Sequence, residues 1–410
     1  MVTTKKVAII GAGTAGLSSA ILLSKQGFIC DLFEEFQEPQ AIGAGILLQP
    51  QGLNVLHEIG LLEETLSFGS KVDSLYGLTN QNKIIMDFNY SDLYRGLFGL
   101  GIHRGALFNS LYSIAKISVN KLYLGHKVTN INQSHSTIQI TTNQELKNNY
   151  DMVVIANGTW STITNQVNIS MKHKPYPWGA LWKIFDNPDS FSQNTLSQKY
   201  IKCHTMAGML PSGINPINGK KCISFFWSLK VNDYNNWCNT GISQWKQNAM
   251  NLWPEINPFI NQINKHKDLT FVQYADTIMD QWHDNKIVVI GDAAHAMSPQ
   301  LGQGANMALV DAWQLSQSLT HYNNISEALA HYSDSRKKHL RFYQYASRLL
   351  TPFFQSNSTA AAIFRDLVFP PMRYIPLAKK HALTTLFGVK TSLFSNKPNI
   401  DLELLSQKLF

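Results

Sequence analysis

A glycine-rich turn between a short apolar segment and a helical pattern, near residue 11, constrains the fold more than any other feature. Residues 5–10 enter an apolar run from lysines, the sequence Gly-Ala-Gly-Thr-Ala-Gly follows at 11–16, and a helical pattern continues to about residue 26. A second apolar segment, 28–33, then ends on acidic residues. This order predicts a βαβ unit, and therefore an α/β fold built on a Rossmann-like parallel sheet.

Each residue type in this turn has a physical reason. Gly11 permits the tight turn, Gly13 lets backbone amides approach a pyrophosphate at the helix N-terminus, and Gly16 lets helix and strand pack closely. Ala15 lies in the same loop and is expected to contact the cofactor with them. Glu34 ends the second strand, where a carboxylate can accept hydrogen bonds from a ribose diol. The motif predicts a dinucleotide but does not choose between NAD and FAD.

A second motif follows a buried strand at 286–290. Residues 291–306 contain a Gly-Asp pair and the spacing Pro-x-x-Gly-x-Gly, and a helix runs on to about residue 319. This segment resembles the flavin-ribityl motif of the class A flavin monooxygenases, the para-hydroxybenzoate hydroxylase family. The resemblance implies FAD as cofactor, with Asp292 bonding the ribityl hydroxyls and a helix N-terminus beside the pyrimidine edge, where it stabilises the charge of reduced flavin. The residues it assigns to the ring are Pro299, Gly302, Gly304, Ala305 and Asn306.

The resemblance covers most of the first 345 residues. Residues 41–61 resemble the family's glycine-containing loop over the flavin and the helix after it, which makes Gly45 a cofactor candidate. Arg104 starts the segment that matches the family's Arg-x-x-Leu, so it would reach ribityl or pyrophosphate oxygens as a guanidinium fork. A surface arginine at a helix start is the alternative. Val128 falls where the family places main-chain contacts beside the adenine.

The chain departs from the family pattern at two places. Where the family usually reads Asp-Gly and an arginine two positions later, this chain has Asn157-Gly158 and Trp160. Asn157 keeps a hydrogen bond to the cofactor but not the charge, and Trp160 does not replace an arginine near a phosphate. The resemblance implies NAD(P)H as electron donor, and this departure puts that donor in question. Glu35, a further cofactor candidate, stands where many members carry arginine or lysine.

The length of 410 residues predicts more than one core. We expect a discontinuous FAD-binding domain at 1–174 and 286–345, an antiparallel or mixed sheet that binds substrate at 175–285, and a helical C-terminal region at 346–410. Basic clusters at 336–339 and 379–381 make peripheral membrane contact through this last region one interpretation. A helix that closes the two domains together is the other.

Composition excludes several function classes. The net charge of +8 favours anionic partners, but the basic residues are not interleaved with aromatics in the way that predicts nucleic-acid binding. The four cysteines form no CxxC pair or metal-ligand spacing, which predicts reduced thiols in a cytoplasmic protein and no metal site. Residues 7–10 are too short for a signal-peptide core, and no run of 18 apolar residues predicts a membrane span.

The leading hypothesis is therefore an FAD-dependent monooxygenase. The resemblance implies hydroxylation of an aromatic or other electron-rich apolar small molecule through a flavin C4a-hydroperoxide, with NAD(P)H and O2 as co-substrates and a monomer or homodimer as the working form. Alternatives are an FAD oxidoreductase of the same fold that acts on nitrogen, or that degrades or rearranges a natural product or antibiotic. A third alternative is a non-catalytic flavoprotein, but the motif around Asp292 argues against it. His204, in the predicted sheet domain, is the one candidate for a catalytic base, and a core or surface histidine is the alternative for it.

Overall fold

A computed structural model of the chain describes residues 5–40, 44–134, 137–189, 191–392 and 407. Residues 41–43 of the predicted flavin loop, and the end of the predicted C-terminal region, fall outside this range. The described strands are β1 (Lys6–Ile10), β2 (Ile29–Glu34), β3 (Gly45–Leu48), β4 (Ser70–Val72), β5 (Ser74–Thr79), β6 (Ile84–Asn89), β7 (Gly99–His103), β8 (Lys121–Leu124), β9 (Val128–Gln133), β10 (Ile138–Thr142), β11 (Lys147–Tyr150), β12 (Met152–Ile155), β13 (Met171–Asp186), β14 (Thr195–Ile201), β15 (Thr205–Ile214), β16 (Lys221–Lys230), β17 (Thr270–Met279), β18 (His283–Asp284) and β19 (Ile287–Val289).

Helices separate and cover these strands. The described α-helices are α1 (Thr14–Lys25), α2 (Pro50–Ile59), α3 (Leu62–Phe68), α4 (Arg104–Ser118), α5 (Tyr234–Asn239), α6 (Ile242–Leu252), α7 (Asn257–Ile260), α8 (Asp292–His295), α9 (Gly304–His321), α10 (Ile325–Phe354), α11 (Thr359–Met372) and α12 (Pro376–Leu386). Short 3-10 turns join several of them, including Pro299–Leu301 just before α9. Within the described ranges, no helix has both the length and the apolar content needed to cross a bilayer.

A six-stranded sheet carries the predicted βαβ unit. Its strand order is β18-β19-β12-β1-β2-β8, and every pair is parallel except β18 with β19. Val7, Ala8 and Ile9 of β1 are fully buried, as a parallel sheet covered on both faces requires, and this is why the strand reads as a continuous apolar run. The α/β fold with its Rossmann-like sheet is confirmed.

A seven-stranded mixed sheet forms the second layer, in the order β17-β13-β16-β15-β14-β5-β6. Only β14 and β5 pair in parallel. One face of this sheet packs on α5, α6 and α7 around a separate apolar core that includes Phe225 and Trp245. Two strands come from residues 74–89, inside the first predicted segment, because pairing between distant strands leaves no local signal in the sequence. The predicted domain boundaries stay a prediction.

Glycines let the two layers approach closely. A side chain on Gly101 of β7 would place its Cβ 1.9 Å from the carbonyl oxygen of Pro211 in β15. Gly45 of β3 is equally enclosed, since its Cβ would lie 2.1 Å from Ser212 Oγ and its amide donates to Ser224 Oγ at 2.6 Å. The small sheet β3-β7-β4 is therefore pressed against the seven-stranded sheet with no room for a side chain between them.

The C-terminal helices close the structure on one side. α10 packs along α9, and a helical region after residue 345 is present as predicted. The predicted basic cluster at 336–339 is divided by helical periodicity, because Arg336 and His339 are buried whereas Lys338 is exposed. Half of that cluster is therefore part of the core and unavailable to a membrane.

Candidate functional site

A cavity of about 410 Å³ opens at the carboxyl ends of β1, β2 and β12. This edge of a doubly covered parallel sheet is where ligands bind in folds of this type. Of the sixteen predicted cofactor residues, eleven line it. They are Gly11, Gly13, Ala15, Glu34, Glu35, Arg104, Val128, Asn157, Asp292, Gly304 and Ala305.

The three glycines of the first motif occupy three different environments. Gly11 has φ +101°, and its Cβ would lie 2.7 Å from the carbonyl oxygen of Ala156. Gly16 faces Gly11, and a side chain on Gly16 would place its Cβ 1.9 Å from the carbonyl oxygen of Gly11. Gly13 has ordinary φ, and a side chain there would meet no protein atom within 4 Å. Protein packing therefore explains Gly11 and Gly16, whereas the space beside Gly13 is part of the cavity itself.

Two acidic residues stand where β2 ends. The Glu34 carboxylate accepts hydrogen bonds from the amides of Ala12, at 2.9 Å, and Phe36, at 3.0 Å. These bonds fix the carboxylate against the glycine turn and leave lone pairs on both oxygens for a ligand. Glu35 instead pairs with Lys127 at 3.1 Å, and both side chains are exposed at the rim of the cavity.

The other part of the cavity is formed by the second motif. Gly291 has φ +62° and turns the chain from β19 into α8, so that Asp292 is the first helical residue. Gly304 and Ala305 begin α9 nearby, and a side chain on Gly304 would have its Cβ 3.7 Å from Asp292 Oδ1. Arg104, the first residue of α4, lines the same cavity. Segments far apart in the sequence thus meet here around one space.

A buried charge network holds this second motif in place. Asp311 of α9 is fully buried and accepts hydrogen bonds from the Gly291 amide at 2.9 Å, from His295 Nε2 at 2.5 Å and from Arg336 Nε at 2.8 Å. Burial alone raises the pKa of a carboxyl, but the charges of His295 and Arg336 outweigh it and hold the pKa of Asp311 well below its usual range. Asp311 is therefore a fixed anion behind the Gly291–Asp292 turn.

His339 completes the network as a neutral imidazole. Arg336 Nη1 donates to its Nδ1, and its Nε2 donates to the carbonyl of Gly388 at 2.8 Å, so one ring nitrogen carries a proton and the other does not. Burial, and then the Arg336 charge, lower the pKa of His339 to about 3.

Acid is therefore expected to destabilise the protein through His339. An unfolded histidine titrates near pH 6.5, so below that pH the unfolded state takes up a proton that the folded state refuses until about pH 3. The stabilisation is complete above pH 6.5, and about 2 kcal/mol of it is lost by pH 5. Urea unfolding at pH 7 and pH 5 measures this, and His339→Leu should flatten the pH dependence. An unchanged slope in that variant would contradict this role of His339.

Five predicted cofactor residues lie outside the cavity lining: Gly16, Gly45, Pro299, Gly302 and Asn306. Gly16 and Gly45 face packed protein atoms. Asn306 is fully buried, its Oδ1 accepts from the Gln49 amide at 2.8 Å, and its Nδ2 donates to the carbonyls of Leu47 and Gly302 at 3.2 Å. Its side chain ties α9 to the turn between β3 and α2, a tertiary role that the sequence pattern did not indicate.

His204 also lies away from this cavity. It stands in the turn between β14 and β15, with Nδ1 bonded to Thr205 Oγ1 at 2.8 Å. Burial and the charges of Lys202 and Lys230 lower its pKa. A lowered pKa is compatible with a base at neutral pH, but the structure gives His204 no contact with the space described above. Its catalytic role stays a prediction.

Sequence reasoning missed several lining residues. Phe33 and Phe36 flank the acidic pair, and His126 and Lys127 precede Val128. Trp160, identified above only as a departure from the family pattern, also lines the cavity and is 55% exposed. The signal that could have found Phe36 is its position directly after the acidic pair that ends β2. The signal for Trp160 is its position just beyond β12.

The donor set of this cavity fits FAD. An open space beside Gly13, at the start of a twelve-residue helix, suits a pyrophosphate because the amides of the first turn have no partner within the helix. Glu34 and Asp292, two carboxylates on different segments of the lining, suit the hydroxyls of the ribose and the ribityl chain. In the described part of the chain, no cluster of three or more His, Cys, Asp or Glu side chains could hold a metal ion.

Comparison with known proteins agrees with this geometry. Hispidin-3-hydroxylase of Neonothopanus nambi is 26% identical over 95% of this chain and 95% of its own, and 3-amino-4-hydroxybenzoate 2-monooxygenase of Streptomyces cremeus is 24% identical over 76% and 77%. The structure of Klebsiella pneumoniae HpxO complexed with FAD and uric acid superposes with a TM-score of 0.79 at 16% identity, covering 94% of this chain and 97% of that one.

The family match covers most of the chain. Residues 4–343 match the family described as FAD binding domain. The match includes both cavity-forming motifs and the sheet between them. The chain therefore belongs to the FAD binding domain family, and its resemblance to the class A FAD-dependent monooxygenases is confirmed.

Proposed function

We propose that this protein hydroxylates an aromatic or other electron-rich apolar small molecule, with NAD(P)H as electron donor and O2 as co-substrate. The observation that carries the proposal is one cavity whose lining holds two carboxylates, Glu34 and Asp292, together with the glycine turn. We propose that Glu34 binds the ribose and Asp292 the ribityl chain. When bound, FAD supplies the redox chemistry and the reaction with O2. The chain itself supplies binding, orientation and a dry environment.

The residues of the cavity divide this work. First-turn amides of α1 and the space beside Gly13 would hold the pyrophosphate, and Glu34 would hold the adenosine ribose. Asp292 and Arg104 would hold the ribityl hydroxyls and neighbouring phosphate oxygens. Gly304 and Ala305 place the N-terminus of the 18-residue α9 toward the cavity, where its dipole favours a ligand that gains negative charge.

The seven-stranded sheet would cover the reacting end of the cofactor. Trp182 of β13 donates from Nε1 to the hydroxyl of Tyr274 in β17 at 3.2 Å. Burial raises the pKa of Tyr274 to about 12, while its hydrogen bond with Trp182 and the charge of Arg104, a residue of the cavity lining, act in the opposite direction. The indole of Trp182 and the phenol of Tyr274 would suit a flat, apolar substrate that needs a single polar contact for orientation. We therefore place the substrate between this sheet face and the cofactor.

The proposed electron donor, NAD(P)H, rests on the resemblance to the family. Trp160 stands on the lining where the family carries an arginine, and the Lys127 cation at the rim is paired with Glu35. Reduction by NADH or NADPH would then depend on other contacts. The four cysteines are free thiols, which supports a cytoplasmic location, and Cys238 is the exposed one. The oligomeric state, monomer or homodimer, stays a prediction.

Rapid reduction kinetics test this function. Anaerobic mixing of the flavin-loaded protein with NADH or NADPH is expected to bleach the flavin absorbance, and a lipophilic phenol that serves as substrate should accelerate the bleaching. On admission of air, that phenol should gain one oxygen atom by mass spectrometry. A flavin that neither nucleotide bleaches, with or without aromatics, would contradict the proposal. If the flavin is bleached but the protein then oxidises an amine and not an aromatic ring, the result would favour an FAD oxidoreductase that acts on nitrogen.

A further inference from the structure

The helices that end the described chain expose an unusual number of large apolar side chains. Leu367, Tyr374 and Leu377 are 64%, 73% and 58% exposed, respectively. Exposed apolar residues are scattered singly on most soluble proteins, whereas a run of them marks an interaction surface. The exposed members between residues 345 and 377 are Tyr345, Leu349, Ile363, Phe364, Leu367, Met372, Tyr374, Ile375 and Leu377.

Helix α11 buries a charged side chain and exposes large apolar ones, which is the opposite of the usual amphipathic arrangement. Its buried side contains Ala362 and the fully buried Arg365, whose guanidinium donates to the backbone carbonyls of Lys202 and Phe353. Its outward side carries Ile363, Phe364 and Leu367 at i, i+1 and i+4, which is one stripe on a helix. These three residues, with Tyr374 and Leu377 in the chain that follows, are called the α11 face below.

The surface continues onto α10. The rings of Phe353 and Phe364 stack with centroids 5.6 Å apart, so the end of α10 adjoins α11. Exposed residues follow one line along α10 at helical spacing: Lys338, Arg341, Tyr345 and Leu349. Along this row of exposed residues, the cations Lys338 and Arg341 come first, and the apolar Tyr345 and Leu349 lie nearer the end of α10 that adjoins the α11 face.

The segment that carries this surface is rich in cations. Residues 336–392 contain ten lysines and arginines and one acidic residue, Asp366. Arg336, Arg365 and Lys390 are buried, and Lys379 and Arg348 pair with Asp92 and Asp276 of other segments. Asp366 is paired with Arg365, and among the cations Arg341 and Lys380 are exposed. A second copy would bring the same patch against itself across a two-fold axis and oppose like charges. An anionic partner would instead complement it.

We propose that the α11 face, with the adjoining line on α10, docks on the surface of an anionic lipid bilayer. The apolar stripe would enter the boundary between headgroups and acyl chains, as the apolar side of an interfacial helix does. Arg341 and Lys380 would remain at the headgroup level, where each exposed cation near an anionic surface contributes about a fivefold gain in affinity. The contact is peripheral and leaves the cofactor cavity unchanged.

Vesicle flotation of the flavin-loaded full chain tests the proposal. The protein should float with vesicles of equal parts phosphatidylglycerol and phosphatidylcholine at low salt, and less at high salt or with phosphatidylcholine alone. Ile363→Ser with Leu367→Ser should lower the binding about tenfold. Arg341→Gln with Lys380→Gln should lower it about 25-fold.

Matched variants elsewhere separate this surface from general effects. Ile117→Ser with Ile217→Ser removes two apolar side chains that are 79% and 87% exposed on other elements, and Lys116→Gln with Lys267→Gln removes two other exposed cations. Both controls should bind vesicles like the unchanged protein, and every variant should keep its flavin spectrum and melting temperature. The proposal is overturned if the unchanged protein does not float at low salt. It is also overturned if the variants at Ile363 and Leu367, or at Arg341 and Lys380, float as well as the unchanged protein, or if they convert a dimer to a monomer in solution.

Discussion

Replacing Asp311 by Asn is expected to lower the free energy of unfolding by about 3–5 kcal/mol, the usual cost of removing one partner from a buried ion pair. The substitution changes almost no volume, so the loss would come from charge. Arg336 is only 4% exposed at its side chain and would keep its charge without a counterion. The Gly291 amide would lose its anionic acceptor at the same time, and the adjoining Asp292 would be held less firmly. We therefore expect weaker FAD retention together with the lower stability.

Urea unfolding of the apoprotein separates these two effects, because the stability loss should appear without any cofactor. Asp186→Asn is the matched control, since Asp186 pairs with Lys220 at 3.0 Å on the exposed surface and should change stability by less than about 1 kcal/mol. Substituting Asp311 and Arg336 together by leucine should restore part of the stability. If Asp311→Asn unfolds like the unchanged protein, the network does not support the second motif.

Two alanine substitutions in the same glycine motif should fail in different ways. Gly16→Ala would place a Cβ 1.9 Å from the Gly11 carbonyl oxygen, so helix α1 must move away from β1 at a cost of about 3 kcal/mol. In Gly13→Ala the added Cβ would have no protein atom within 4 Å, and Gly13 has an ordinary φ of −78°. It should leave apoprotein stability within about 1 kcal/mol of the unchanged value. Its methyl group would occupy cofactor space, so FAD affinity should fall at least about tenfold.

Thermal melting of the apoproteins and titration of each with FAD measure this contrast. Gly16→Ala should melt at a clearly lower temperature, whereas Gly13→Ala should melt normally and bind FAD poorly. Equal FAD affinity of Gly13→Ala and the unchanged protein would mean that the pyrophosphate does not pass beside Gly13.

Local sequence signals predicted the parts of the cavity that depend on local geometry. The turn at Gly11, the carboxylate at the end of β2 and the Gly291–Asp292 turn each follow a strand, so their positions at the sheet edge follow from the order of the elements. All three line one cavity. The mixed second sheet and the helical C-terminal region are also as expected.

The remaining features depend on contacts between distant segments. Asn306 follows the flavin-like turn in sequence, yet its side chain forms hydrogen bonds with the backbone of Gln49, Leu47 and Gly302. The pairing of β5 with β14 joins residues 74–79 to 195–200, which no local periodicity reveals. Arg336 could have been identified as buried, because Tyr332, Arg336, Leu340 and Tyr343 recur at helical spacing on the core side of α10. Its anionic partner, Asp311, could not have been assigned without the fold.

The flavin content of the purified protein tests the central claim most directly. If the cavity that Gly13, Glu34 and Asp292 line holds FAD, the protein should be yellow, or become so when FAD is added. Heat denaturation should then release one FAD per chain, identified by chromatography. Asp292→Ala should retain much less flavin while its apoprotein melts like the unchanged one. Protein that stays colourless with excess FAD, or that releases no FAD on denaturation, would contradict the account.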